Sequence, residues 1–127
     1  MNDILNNMSS YFTTTITREL MGIHSDTIKM TDKDEESGLV NYCYNYCSSS
    51  DDDVVKATRG VVFDGETVVS RSFGYTPEYS DSDETELREL FTEENCRLTR
   101  FFVSHEGTLI RVFHYKNKWY KYVIVMS

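Results

Sequence analysis

The chain has 127 residues, a mass of 14.8 kDa and a net charge of −8. This length suits one domain, residues 1–127, with a single hydrophobic core. A membrane span needs roughly 18 apolar residues, which no run provides, and the N-terminus lacks the basic and apolar segments of a signal peptide. The sequence therefore predicts an intracellular, soluble protein with no membrane partner.

The charge is distributed unevenly. Up to Cys96 the chain has seven basic and twenty acidic residues, whereas from Arg97 onward it has six basic residues and Glu106 as the only acid. Phosphate binding needs clustered Lys and Arg, so the acidic part excludes general nucleic-acid affinity. A polyanion would meet the C-terminal third, although a solvated basic hairpin without a ligand explains the same residues.

Residues 1–38 form a helical and acidic lead-in. Apolar residues recur every three or four positions from Asp3 to about His24, which predicts an amphipathic helix weakened by the β-branched run at residues 13–15. The polar and acidic segment from Ser25 to Ser37 predicts an exposed loop.

Residues 39–127 are predicted to form a sheet with one helix. Alternation over Leu39 to Cys47 favours a half-buried strand, and residues 48–53 favour a loop. Two further strands, from about Ala57 to Asp64 and from Thr67 to Phe73, meet at the turn dipeptide Asp64-Gly65.

The remaining elements are one helix and three strands. Leucines at helical spacing behind an acidic first turn predict a helix over residues 82–95, with a capping box between Asp81 and Glu84. Strands follow over residues 99–104, 108–115 and 119–125, with a turn at residues 116–118. The predicted fold class is α+β, an antiparallel sheet with one or two helices.

The cysteines and histidines do not predict a metal site. Cys43, Cys47 and Cys96 are odd in number and have no disulfide spacing. No His or Cys pair follows Cys43-x-x-x-Cys47 at zinc-ligand spacing, so half-buried thiols are the better interpretation.

Three ordered stretches carry a resemblance to a known family. They are the Arg-Gly strand at residues 59–64, the Ser-Arg strand at residues 68–73 and the segment Ser104-His105-Glu106-Gly107. Together with the Tyr-rich strand before them, they resemble the N-terminal part of the adenylation domain of phage-type, tRNA-repair RNA ligases, which use ATP. The resemblance covers about residues 41–120 and implies a partial nucleotidyltransferase fold.

The resemblance implies a nucleotide site but not a complete one. It places Arg59, Gly60, Arg71, Glu106 and Gly107 around ATP, with Mg²⁺ as the accompanying ion, and makes RNA ends the implied partner. The family forms lysyl-AMP on the lysine of a Lys-x-Asp/Glu-Gly motif.

Two of the family's lysines have no counterpart here. Ser104 occupies the position of the motif lysine, and Tyr75 aligns with a second phosphate-binding lysine. The family's later motifs have no match after Tyr120.

The loss of the lysine decides between two hypotheses. Adenylyl transfer needs a nucleophile whose pKa its surroundings depress, and Ser104 has no base beside it on an extended strand, since His105 points to the opposite face. The favoured hypothesis is a catalytically incomplete, truncated ligase-like protein or pseudoenzyme that retains nucleotide or RNA-end binding. The alternative is an active part of an ATP-dependent RNA ligase that another polypeptide completes.

The end of the chain also predicts association. Residues 119–126 are apolar and β-forming, and an open edge of that kind favours pairing with another chain. We expect a homodimer or a protein partner at this C-terminal edge strand.

Overall fold

The computed structural model describes residues 13–124, which form an α+β fold around a four-stranded antiparallel sheet. In chain order the elements are α1 (Arg18–Ile23), β1 (Ile28–Lys33), β2 (Val40–Tyr44), α2 (Asp53–Ala57), β3 (Arg59–Asp64), β4 (Thr67–Ser70), a 3₁₀ turn (Asp81–Asp83), α3 (Glu84–Leu90), α4 (Glu93–Leu98), β5 (Leu109–Tyr115) and β6 (Lys118–Ile124). The sheet order is β1-β2-β3-β4, and β5 and β6 form a separate hairpin. No helix within residues 13–124 has the length and apolarity needed to cross a membrane.

The two faces of the sheet carry different layers. On one face, α1 and α2 bury a cluster consisting of Ile16, Met21, Ile28, Val54, Val55, Ala57, Val61 and Phe63. On the other face the hairpin buries Leu39, Val62, Tyr122 and Ile124. Because alternate side chains of β3 point to opposite faces, this one strand contributes to both clusters. The central strand is therefore buried on both sides.

Gly60 lets the hairpin approach the sheet closely. Tyr42 pairs with Val61 and Cys43 with Arg59, so Gly60 is the extra residue of a β-bulge. Its φ of +76° lies in the left-handed region that glycine adopts most readily. The Tyr122 hydroxyl donates to the Gly60 carbonyl at 3.0 Å, and Ile124 packs on the same spot.

Polar contacts fix the turn end of the hairpin. The Tyr115 hydroxyl donates to the Asp64 carboxylate at 2.6 Å, and Lys116 Nζ lies 3.1 Å from the same oxygen. Lys118 Nζ lies 3.0 Å from a Glu36 carboxylate oxygen. These exposed pairs stabilise the contact modestly, and they orient the hairpin on the sheet.

Several predicted strands and turns are confirmed with shorter bounds. Leu39–Cys47 contains β2, and residues 108–115 and 119–125 contain most of β5 and β6. The turn predicted at Asp64-Gly65 lies one residue later, at Gly65-Glu66, because Asp64 still pairs with Thr67 across β3 and β4. The second turn has positive φ at Lys116 and Asn117, as a tight two-residue hairpin requires. The strand β2 is not half-buried as predicted, because the Asn41 side is covered as well.

The predicted loop over residues 25–37 is wrong, because it contains β1. This strand pairs with β2 in an antiparallel register that has a bulge between Met30 and Asp32. Only Ile28 of β1 is buried, so its polar composition suits an edge strand.

The prediction for residues 48–58 also needs correction. Residues 53–57 form α2 instead of a loop and the start of a strand. Asp52 caps this helix by accepting from the Val54 N–H at 2.8 Å, and Val54 and Val55 are buried in the first cluster.

Two predicted helices and one strand differ from the structure. The first helix is confirmed only as α1, and its predicted start lies in residues 1–12, outside the described residues. The second is interrupted, because α3 ends at Leu90 and Thr92 caps a separate helix, α4. The capping box joins Ser80 to Asp83 rather than Asp81 to Glu84. Residues 99–104 form no strand and are mostly exposed.

Candidate functional site

Two cations that have no charged partner within residues 13–124 lie where α2 meets β3. Arg59 is the first residue of β3 and is half-buried, and its guanidinium has no hydrogen bond or ion pair with another residue between 13 and 124. Lys56 occupies the last turn of α2, three residues earlier. Its ammonium likewise has no carboxylate partner in the described part of the chain. Unpaired neighbouring cations form the kind of place where an anion binds.

The Cys47 thiol shows that the two cations share their surroundings. The pKa of Cys47 is raised to about 11, chiefly by burial and in part by the nearby Asp51 carboxylate, whereas the charges of Lys56 and Arg59 oppose the shift. Asp51 is engaged within its own turn, since it accepts from the Ser48 backbone N–H at 2.6 Å and from the Ser48 hydroxyl at 3.1 Å. The thiol therefore stays protonated at neutral pH and is no nucleophile.

Two tyrosines border the same place. Burial raises the pKa of Tyr44 to about 12, an effect that the Arg59 charge opposes. Tyr75 adds to the shift on Tyr44, and its backbone N–H donates to the Lys56 carbonyl at 2.7 Å. Both phenols remain protonated, so they can donate hydrogen bonds to an anion held by Arg59 and Lys56.

Arg71 lies in a different setting from Arg59. It follows β4, is half-buried, and its Nη1 donates to the Thr14 carbonyl at 2.8 Å. At least one of its donors therefore holds the chain before α1 against the sheet. A structural role explains this contact without a ligand.

Gly60 is covered and does not face open space. A methyl group added to it would lie 3.0 Å from Ile124 Cγ1 and 3.1 Å from Tyr122 Cε2. The cleft beside it has a volume of about 200 Å³, which is below the roughly 300–1,000 Å³ of typical ligand pockets. Here Gly60 serves the packing of the hairpin.

Ser104, Glu106 and Gly107 all lie exposed in the connector between α4 and β5. Within residues 13–124, Glu106 forms no hydrogen bond or ion pair with Arg59 or Arg71. No basic side chain within residues 13–124 contacts the Ser104 hydroxyl. The structure thus brings the Tyr75 backbone to Lys56, three residues before Arg59, and gives the other predicted site residues separate surroundings.

No group of three or more His, Cys, Asp and Glu side chains within residues 13–124 is arranged to hold a metal ion. Cys43 and Cys47 are half-buried free thiols, and Cys96 is an exposed one. Comparison with protein-family models, curated proteins and solved structures gave no match.

Lys56 was missed by the sequence reasoning. A local signal exists, because Asp52 is a good helix cap and Lys56 falls in the last turn of the helix that it starts. Predicting this helix would have placed Lys56 at its end, just before Arg59. The proximity of Tyr75, 16 positions after Arg59, has no local signal.

Proposed function

We propose that this chain is an RNA ligase-like protein, built on part of a nucleotidyltransferase fold, that binds the phosphates of a nucleotide or an RNA end without forming a covalent adenylate. The observation that carries the proposal is a pair of cations, Arg59 and Lys56, that have no carboxylate partner within residues 13–124 and lie beside two protonated tyrosines. Arg59 is also the residue that the family resemblance assigns to the phosphates.

The chemistry of this cluster suits a phosphate group. A guanidinium presents paired N–H donors that match two phosphate oxygens, and an ammonium adds a point charge. Phenolic donors from Tyr44 and Tyr75 complement the oxygens that the cations leave free. Partial burial strengthens these contacts, because solvent and salt screen them less.

Covalent catalysis does not follow from this site. Ser104 is exposed in a connector and has no activating base among the described residues, and the Cys47 thiol is held protonated. A nucleophile needs a depressed pKa or a neighbouring base. The function that remains is non-covalent binding, in which Mg²⁺ would accompany ATP as part of the ligand.

Equilibrium dialysis against ATP with Mg²⁺, and against a short RNA with a 5′-phosphate, tests the proposal. We expect saturable binding of at least one of the two ligands. Arg59→Ala removes a charge-assisted contact of about 1.5–3 kcal/mol, which corresponds to roughly 10- to 150-fold weaker binding. Lys56→Ala should weaken binding by a smaller factor, because a single ammonium contact lacks the two-pronged geometry.

Lys29→Ala is the matched control, since Lys29 is an exposed lysine on β1 whose ammonium donates to the Ser25 carbonyl and to no carboxylate within residues 13–124. It should bind as the unmodified chain does. Circular dichroism must show that each variant is folded. The assignment of this site would be refuted if neither ligand binds, or if Arg59→Ala binds as tightly as the unmodified chain.

A further inference from the structure

The outer face of the β5–β6 hairpin is an exposed apolar surface. Cross-strand pairs Ile110–Val123, Val112–Lys121 and His114–Trp119 place six side chains on the side away from the sheet. Trp119 is 70% exposed, and Ile110, Val112 and Val123 are each more than half exposed. We call these six residues the outer face. Clustered exposed apolar side chains on a small domain indicate an interaction surface.

The charge and composition of the outer face favour a protein segment as its occupant. The outer face has one charged side chain, Lys121, and no acid. The other cations of the hairpin lie elsewhere, since Lys116 and Lys118 pair with Asp64 and Glu36 and Arg111 is on the side that faces the sheet. Three of the six outer-face side chains are aliphatic, and aliphatic groups offer no ring on which a base can stack. The best partner is therefore a segment that is apolar and acidic together.

The same chain carries such a segment. Residues 81–98, here called the acidic arm, contain the 3₁₀ turn, α3 and α4, and none of these residues is buried. Acids outnumber bases seven to two: Asp81, Asp83, Glu84, Glu86, Glu89, Glu93 and Glu94 against Arg88 and Arg97. Leu87, Leu90 and Phe91 lie at helical spacing, so the arm has an apolar stripe, and none of the three side chains is buried.

The connector after the arm is apolar too. Phe101, Phe102 and Val103 are each more than 80% exposed. Phe101 stacks on Phe91 with ring centroids 6.1 Å apart, which continues the apolar stripe beyond the helices. A long exposed apolar stripe of this kind needs a covering surface in solution.

We propose that two copies of this chain associate by exchanging arms, so that the acidic arm of each copy covers the apolar outer face of the other, where Lys121 is the charged side chain. A two-fold axis allows this exchange, because each copy offers both surfaces and the contact forms twice. Charge favours this pairing over contact between two outer faces, because that contact would bring Lys121 of one copy near Lys121 of the other.

Light scattering over a range of protein concentrations gives the first test. We expect a mass of twice 14.8 kDa at high concentration, falling toward one chain on dilution. Trp119 is the only tryptophan, so its fluorescence should shift to the blue and become less accessible to iodide as the dimer forms. Lys121→Glu should weaken the dimer by about tenfold or more, as should the double variant Glu86→Lys/Glu89→Lys.

Mixing the two charge-reversed proteins separates exchange between copies from docking within one copy. In the mixed dimer, an unmodified arm meets an unmodified outer face, and a basic arm meets an acidic outer face. The mixture should therefore regain the dimer that each variant alone has lost. Lys29→Glu, which reverses a charge on β1 instead, and Arg59→Ala, which removes a cation of the proposed phosphate site, should both dimerise normally.

Three results would overturn the proposal. The first is a single-chain mass at every concentration with Trp119 fully accessible. The second is a mixture of the two variants that stays monomeric, while Trp119 of the unmodified protein is protected from iodide. This result would place the arm on the hairpin of its own chain. The third is single-stranded RNA binding that Lys121→Glu abolishes in a chain that does not dimerise.

Discussion

Replacing Gly60 with alanine measures how closely the hairpin packs on the sheet. The φ of +76° at Gly60 costs a non-glycine residue about 1–2 kcal/mol. The added methyl group would lie 3.0 Å from Ile124 Cγ1 and 3.1 Å from Tyr122 Cε2, and overpacking of this kind costs about 1–3 kcal/mol. We expect Gly60→Ala to lower the free energy of unfolding by about 2–5 kcal/mol.

Gly65→Ala is the matched control for the backbone contribution. Gly65 also has a positive φ, of +59°, but an added methyl group would meet nothing within 4 Å. This variant should lose only about 1–2 kcal/mol. Urea denaturation followed by circular dichroism gives both free energies, and their difference isolates the contact with the hairpin.

A double variant locates the contact. Ile124→Val removes Cδ1, one of the atoms that the new methyl group would meet. Gly60→Ala combined with Ile124→Val should therefore cost about 0.5–3 kcal/mol less than the sum of the two single changes. If Gly60→Ala costs no more than Gly65→Ala, the hairpin does not lie on the sheet as described.

Three further tests address single side chains elsewhere. The hydrogen bond from Tyr115 lowers the pKa of Asp64 below 3.8, so its stabilisation is present above that pH and is lost as the pH falls through the lower folded value. Asp64→Asn should flatten the acid side of the stability curve measured by denaturation, and an unchanged curve would contradict this. Radiolabelled ATP should leave no covalent label on the chain or on Ser104→Lys, and a labelled band would contradict this. Iodoacetamide at pH about 8 should alkylate the exposed Cys96 well before Cys47, by mass spectrometry. Equal rates would contradict it.

Local sequence predicted the hairpins correctly and their turns to within one residue. The Asp64-Gly65 dipeptide supplies Gly65, and the run around Asn117 supplies Lys116 and Asn117, and these residues adopt positive φ. A tight turn requires positive φ only at its central residues, so the local sequence is enough to predict it. Alternating apolar residues likewise predicted β2, β3, β5 and β6. These features depend on neighbouring residues alone, which is why the sequence is sufficient for them.

Tertiary contacts decided the elements that the sequence missed. The polar segment of β1 becomes a strand because β2 supplies its hydrogen-bond partners. The short helix α2 forms because Val54 and Val55 are buried against the sheet, and five residues have too little intrinsic helix stability alone. Residues 99–104 show the converse, since their strand propensity finds no partner strand.

The candidate site divides in the same way. The sequence alone identified Arg59, through the Arg-Gly pattern and its resemblance to a ligase strand. Lys56 is three residues before Arg59 in the chain, whereas only the fold brought the Tyr75 backbone onto Lys56 and assigned Gly60 to packing by placing Tyr122 and Ile124 above it. Residue type and spacing determine what a segment can do locally, whereas the layer that covers each face of the sheet decides which side chains meet.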